Sequence, residues 1–296
     1  MAAKIISGKE VSCLIRDELK ARAAALKQNG VVPGLGVVLV GEDPASISYV
    51  TAKAKAAEEI GIFETTINMP ADSTEDDILR TVDGLNRDAR YNGVLVQLPL
   101  PKYVSADKVI NFISPEKDVD GFHPVNVGRL LRGEPCPLPC TPYGVVQLLT
   151  RGGYSPDGRH VVVCGRSNIV GKPLAALLIQ KKKGANATVT VCHTGTPDLA
   201  RFTLQADILV AAMGVPRAIK ADMVREGCVV IDVGVNRVAD ATSPKGFRLV
   251  GDCDFEAIKE KAEAITPVPG GVGPMTVTML MMNTIEAAER KAGLIP

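Results

Sequence analysis

Residues 161–174 read VVVCGRSNIVGKPL and constrain the fold of this chain more than any other stretch. Small or β-branched apolar residues run up to Gly165, the polar pair Arg166 and Ser167 follows, and beyond Gly171 the apolar positions Leu174, Ala175, Leu177 and Leu178 recur at helical spacing. A strand, a tight turn and a helix start are the unit of a doubly wound α/β sheet. Such a turn aims free backbone N–H groups and the positive end of the helix at an anion, commonly a cofactor phosphate. The spacing departs from G-x-G-x-x-G, so the turn alone also fits a βα unit with no nucleotide. In a dinucleotide fold an acidic residue ending the next strand bonds the ribose of NAD. Here that strand, ATVTVC (187–192), ends in His193 and Thr194 without a carboxylate. Arg166 in the turn and a hydroxyl at the second strand end suit a 2′-phosphate, which points to NADP.

The rest of the chain carries the same alternation. Ser7-x-x-Glu10 reads as a capping box opening a helix whose apolar residues Val11, Leu14, Ile15 and Leu19 share a face and which Gly30 closes. LGVVLVG (35–41) reads as a buried strand. Asp43 and Pro44 supply an N-cap and first-turn proline for a helix ending at Gly61. A strand over 62–68, a capped helix after Ser73 and a strand GVLVQL (93–98) follow. Residues 99–142, rich in proline and poor in periodic runs, read as an active-site and hinge region. A second series begins at 161, with strands near 187–192, 207–211 and 228–233, a loop TPVPGGVGP (266–274) and a helix over about 275–291. The predicted architecture is two α/β domains, the second a Rossmann-like dinucleotide-binding domain. The 296 residues by themselves suffice for two α/β domains, each with its own core, or for one large one. A net charge of +1 without a basic stripe argues against nucleic acid as a partner. The charged N-terminus lacks the core of a signal peptide, and no apolar run is long enough for a membrane, so a soluble, cytoplasmic protein is expected. The seven cysteines sit mostly in apolar runs and, with three histidines and no C-x-x-C pair, predict no metal site.

Three groups of residues can carry chemistry. Tyr49 and Lys53 lie four apart on the Pro44 helix, hence on one face; a phenol beside an ammonium can tune proton transfer, although the same spacing serves a packing pair. Gln97 is an amide inside an apolar run, costly unless hydrogen-bonded, and so aims either at backbone or at a functional group. Asp118 and Asp120, in SPEKDVDGFHP, stand in a rigid loop where Asx-turn formation is the alternative role. His123, before a proline, reads as structural. Glycines 270, 271 and 273 permit close approach of backbone to a ligand, or simply form a turn.

GEDPASISYVTAKAKAAEEIGI, GVLVQLPLP, KDVDGFHPVNVGRL, PCTPYGV, GRSNIVGKP, ADILVAAMG, VVIDVGVNR and ITPVPGGVGPMTV occur together in this order. Across almost the whole chain this resembles the bifunctional methylenetetrahydrofolate dehydrogenase/methenyltetrahydrofolate cyclohydrolase family. The resemblance implies oxidation of 5,10-methylenetetrahydrofolate with NADP, hydrolysis of the methenyl product to 10-formyltetrahydrofolate, a role in one-carbon supply such as purine biosynthesis, and a homodimer. Carried over to this sequence, it implies that Lys53 transfers the proton of the hydrolytic step, Gln97 tunes and positions it, Tyr49 packs on the folate ring system and Asp120 holds the pterin edge. Cys140 and the loop with Pro269, Gly270 and Gly273 would line the folate cleft. Gly165, Arg166, Ser167, Thr194 and Val235 would hold NADP. The implied domains are 1–145 with a C-terminal helix (275–296) packing back on it, catalytic, and 146–274, NADP-binding. Thr194 stands where the family often has serine and Cys253 where it usually has valine; neither falls in the implied catalytic set. A short-chain dehydrogenase also pairs Tyr-x-x-x-Lys with a glycine-rich turn, but there the turn comes first. A monofunctional dehydrogenase, or a silent folate- or nucleotide-binding protein, remains an alternative, which an assay for both activities separates.

Overall fold

The computed structural model describes residues 2–243 and 246–295. In chain order the elements begin β1 (Lys4–Ile5), α1 (Gly8–Gln28), β2 (Gly34–Val40), α2 (Pro44–Ile60), β3 (Phe63–Met69), α3 (Glu75–Arg87) and β4 (Gly93–Val96). Three helices follow, α4 (Ala106–Phe112), α5 (Pro124–Arg132) and α6 (Cys140–Arg151). Then come β5 (His160–Cys164), α7 (Gly171–Leu178), β6 (Thr188–Cys192), α8 (Leu199–Thr203), β7 (Ile208–Ala211) and a 3-10 turn (Ala221–Met223). The last elements are β8 (Val229–Asp232), β9 (Asn236–Ala239), β10 (Phe247–Val250), α9 (Phe255–Lys259), β11 (Ala264–Ile265) and α10 (Val272–Lys291). The chain divides into two compact units, Cys13–Cys140 with Val277–Pro296, and Met1–Ser12 with Thr141–Thr276. This differs from the expected boundaries of 1–145 and 146–274. The first residues belong with the later unit because β1 pairs in parallel with β11 and extends that unit's sheet.

The unit built on residues 13–140 has a three-stranded parallel sheet in the order β3-β2-β4. All seven residues of β2 are buried, as a central parallel strand covered on both faces requires. Asp43 caps α2, its carboxylate accepting from Ser46 N at 2.8 Å, and Gly61 closes the helix in the left-handed conformation (φ 91°). The cap of α3 is Thr74, not the expected Ser73. Thr74 Oγ1 accepts from Asp77 N, and Asp77 returns the bond to Thr74 N, while the Ser73 hydroxyl closes the preceding turn on Pro70 O. The expected strand 93–98 ends at Val96, because Pro99 and Pro101 have no N–H to continue a ladder. The supposedly aperiodic stretch 99–142 contains α4, α5 and the start of α6. α10 completes this unit: Leu280, Met281, Ile285 and Ala288 are essentially inaccessible, each large aliphatic side chain contributing roughly 1.5–3 kcal/mol. Arg22 on α1 grips Glu289 through Nε and Nη2 at 2.9 and 2.5 Å.

The other unit has a six-stranded sheet, β1-β11-β8-β7-β5-β6, parallel throughout. Val161–Val163, Ile208–Val210 and Val229–Ile231 are wholly buried, the continuous apolar signature of a sheet covered on both faces. From β5 the chain steps to one side for β6 and crosses to the other for β7. The order therefore reverses between β5 and β7, the switch point at whose carboxyl end doubly wound sheets bind ligands. The antiparallel hairpin β9–β10 lies outside this sheet and has no counterpart among the sequence expectations.

Candidate active site

The buried stripe of α2 runs Ser46, Val50, Lys53, Ala57, Ile60, so a lysine occupies a position that helix packing would fill with an apolar residue. Lys53 is only 9% exposed, and its Nζ donates to Gln97 Oε1 at 2.8 Å. Gln97 stands one residue beyond β4 and is itself held by Nε2 donating to Leu98 O at 2.6 Å. The amide thus spends its donor on backbone and turns its acceptor to the lysine. Tyr49, one turn earlier on α2, is exposed.

Of the two carboxylates for which the sequence left a turn-forming role open, Asp118 takes it. Asp118 is 1% exposed and accepts from the backbone N–H groups of Gly121, Phe122 and His123 and from Asn126 Nδ2, which makes it the brace of the loop. Asp120 is partly buried, with Cys140 Sγ 3.8 Å from its Oδ1. The Cys140 thiol donates to Val119 O at 3.4 Å, and burial pushes its pKa well up. His123 caps α5, its Nδ1 accepting from Val125 N, in line with a structural role. Asn283 on α10 escaped the sequence reading. Its Nδ2 donates to Val119 O and Leu138 O, both at 2.7 Å, clamping the peptide that carries Asp120. Its one signal was a lone amide in the apolar run MLMMNTI.

Burial dominates the electrostatics of this cluster. It lowers the pKa of Lys53, against the opposing pull of Asp120 and Cys140. It raises Asp120 to about 6, with Lys53 pulling down and Asp118 pushing further up. Burial thus brings the lysine and the carboxyl closer in proton affinity than they are in water.

In the other unit a cavity of about 380 Å³ opens at the carboxyl ends of β5, β6 and β7. Gly165, Arg166, Ser167 and Thr194 line it, together with His193, Thr196, Ala212, Met213 and Val215. Gly165 has φ +140°, and a Cβ there would meet Ala212 O at 2.1 Å; one on Gly171 would meet Gly165 O at 2.0 Å. The turn is therefore packed to bare backbone, the cradle a pyrophosphate needs. Arg166 and Thr194 are both exposed at it, free to meet a phosphate. Ser167 Oγ accepts from Val170 N at 3.1 Å, leaving its hydroxyl proton to donate. Val235 lies three residues beyond β8 and is exposed. Pro269, Gly270 and Gly273 belong to this unit, where Gly270 O accepts from Lys9 N at 3.2 Å. No group of His, Cys, Asp or Glu among the described residues is arranged to hold a metal, and no described helix is long and apolar enough to cross a membrane.

A lysine–glutamine pair in one unit and a glycine cradle at a switch point in the other coincide with two family models. Residues 6–120 match the tetrahydrofolate dehydrogenase/cyclohydrolase catalytic domain, and residues 139–292 its NAD(P)-binding domain. The chain belongs to the tetrahydrofolate dehydrogenase/cyclohydrolase family. It is 57% identical to the bifunctional protein FolD of Dehalococcoides mccartyi, over 100% of both chains. Among solved structures, the bifunctional FolD of Campylobacter jejuni matches at 44% identity and TM-score 0.92, covering 98% of this chain and 100% of the other. The Trypanosoma brucei FolD, solved with NADP and an inhibitor, matches at 39% identity and TM-score 0.92 over 99% of both chains. Family membership excludes the short-chain dehydrogenase reading, and the two α/β domains agree with the fold expected from the sequence.

Proposed function

We propose that this chain oxidises 5,10-methylenetetrahydrofolate with NADP and hydrolyses the methenyl product to 10-formyltetrahydrofolate, with Lys53 as the proton-transfer residue of the second step. The observation that carries the hydrolytic role is the 2.8 Å bond from buried Lys53 Nζ to Gln97 Oε1. Water attacking the methenyl carbon must lose a proton, and the departing ring nitrogen must gain one. An amine whose pKa burial has lowered can take the first and supply the second. Gln97 fixes the direction of the amine without adding the charge that would hold its proton in place. Asp120 grips the pterin edge through its carboxyl, Cys140 lines the same cleft, and exposed Tyr49 supplies a flat face for the folate rings. Bound NADP supplies the hydride acceptor. Gly165, Arg166, Ser167 and Thr194 would hold it, Arg166 reading the 2′-phosphate; Val235 would bound the same site, and Pro269, Gly270 and Gly273 the folate.

A homodimer and a cytoplasmic location complete the proposal, with no nucleic acid or membrane as partner and formyl supply for purine biosynthesis as the use of the product. Support for self-association is that β3 is an edge strand with Phe63 exposed on it, and that exposed Ile47 lines, with Thr66 and Met69 of β3, a cleft of about 1030 Å³. Light scattering tests it. The activities are tested by mixing protein, NADP⁺ and methylenetetrahydrofolate and following methenyl absorbance. Wild type should show little accumulation, whereas Lys53→Met should reduce NADP⁺ and accumulate the methenyl compound. Hydrolysis persisting in that variant would remove Lys53 from the mechanism.

A further inference from the structure

Two buried carboxylates in the NADP-binding unit remain outside the chemistry above. Asp232, the last residue of β8, is 2% exposed, and Asp252 is wholly buried. Asp252 Oδ2 accepts from Met213 N at 2.6 Å and Gly214 N at 2.9 Å, and its Oδ1 accepts from Asn236 Nδ2 at 2.8 Å. Asp232 Oδ1 accepts from Gly234 N at 3.0 Å and Asp252 N at 2.9 Å, and its Oδ2 from Cys253 N at 2.9 Å. The hydrogen bonds to both carboxylates come from amides rather than from a basic side chain. The backbone is shaped to admit them: a Cβ on Gly251 would meet Asp232 Oδ2 at 1.8 Å, and one on Gly234 would meet Asp252 Oδ1 at 2.1 Å.

The bonds form a relay. Asp232 fixes the backbone at 252–253, and Asp252 then fixes the turn after β7, whose residues Ala212, Met213 and Val215 line the nucleotide cavity. In a doubly wound sheet the turn after the first strand takes the pyrophosphate, and the two halves of the dinucleotide lie to either side of it. The β6 side carries Thr194 and the residues proposed for the 2′-phosphate, which leaves the β7–β8 side for the nicotinamide. We propose that Asp252, braced by Asp232, is a positioning residue of the nicotinamide half of the cofactor site, holding the Met213–Gly214 turn with an acidic side chain that favours the oxidised, cationic ring over the neutral reduced one. The inference rests on the assignment of this cavity to NADP.

The chemistry provides its own test. In Asp252→Asn the side-chain oxygen must stay with the Met213 and Gly214 amides, so the new NH₂ faces Asn236 Nδ2, donor against donor, unless the Asn236 amide turns over, and in either case the acidic group is lost. Adding Asn236→Asp restores donor to acceptor and returns the acidic group to the cluster. Dissociation constants for NADP⁺ and NADPH would be measured by titration calorimetry on the wild type, the single and the double variant. Asp252→Asn is expected to weaken NADP⁺ about tenfold and NADPH only about threefold, the double variant returning both to within about twofold of wild type. Equal weakening of the two nucleotides, or weakening that the second substitution does not reverse, would reduce Asp252 to a fold-maintaining residue and overturn the proposal. If Asp252→Asn does not fold, the double variant decides: near wild-type affinities support the proposal and lost affinity overturns it. Wild-type protein that binds neither nucleotide overturns the cofactor assignment itself, whereas wild-type binding with an unmoved ratio in Asp252→Asn overturns this inference alone.

Discussion

Gln97→Glu tests the proton-transfer assignment while keeping the contact to Lys53, although it gives up the Gln97 Nε2 bond to Leu98 O. Glutamate preserves the acceptor 2.8 Å from Lys53 Nζ and nearly the same volume, but it adds a negative charge. A neutral hydrogen bond is worth about 0.5–1.5 kcal/mol net and one to a charged partner about 1.5–3. The ammonium form of Lys53 therefore gains roughly 1–1.5 kcal/mol over the amine, which raises its pKa by about one unit. A bare Coulomb estimate at this distance, with an effective dielectric constant of about 20, gives about 6 kcal/mol, much of it offset by desolvating the new carboxylate. One unit is thus the floor of the expected shift. The assay is the pH–rate profile of methenyltetrahydrofolate hydrolysis. The limb that requires neutral Lys53 should move at least one unit alkaline, so that at a fixed pH below it the rate falls about tenfold. Oxidation of methylenetetrahydrofolate, which depends on orientation and on the cofactor's own electronics, should stay within about threefold. An unmoved limb, or an equal fall in both activities, would refute the role given to Gln97.

Arg166→Ala should weaken NADP⁺ about 10- to 150-fold and leave NAD⁺ nearly unchanged, the value of one charge-assisted bond; equal losses measured by titration would show that Arg166 does not read the 2′-phosphate. Asp120→Asn should depress both folate activities while calorimetric NADP⁺ affinity survives. The same variant carries a stability signature, because burial lifts the Asp120 pKa from 3.8 to about 6. The folded state binds the proton more tightly, so the associated stability is full below pH 3.8 and lost as pH rises through about 6. Asp120→Asn should therefore raise the melting temperature at pH 7.5, by up to about 3 kcal/mol of stability, and the gain should vanish near pH 4; a gain independent of pH would contradict the buried carboxylate.

Elements with strong local signals were legible in the sequence. Asp43-Pro44 and Gly61 marked both ends of α2 because caps and left-handed glycine are properties of single residues. The glycine turn at 165–171 marked the cavity for the same reason. α4 and α5 were missed because seven and nine residues offer barely two turns of periodicity among prolines. Ser73 and Thr74 are equivalent caps by composition, and only the competing Pro70 carbonyl separates them. Asp118 and Asp120 are indistinguishable two residues apart, until four donors converge on the first. Met213, Val215 and Asn283 act through chain segments distant in sequence, which no local pattern announces. The same holds for β1, a two-residue strand defined only by its pairing with β11.

That two-residue pairing and the place of α10 together bear on how the chain is made. Residues 13–140 leave the ribosome well before Leu280, Met281 and Ile285, which complete their core. Translation of residues 141–276 intervenes, a delay on the order of ten seconds at about 5–20 residues per second. During it the surface that α10 will cover stays open, and β1 has no neighbour until β11 emerges. The chain thus carries an obligatory period of exposed apolar surface, the state on which chaperones act. Separating it into expression fragments at residue 140 would make that exposure permanent for the half that carries Lys53.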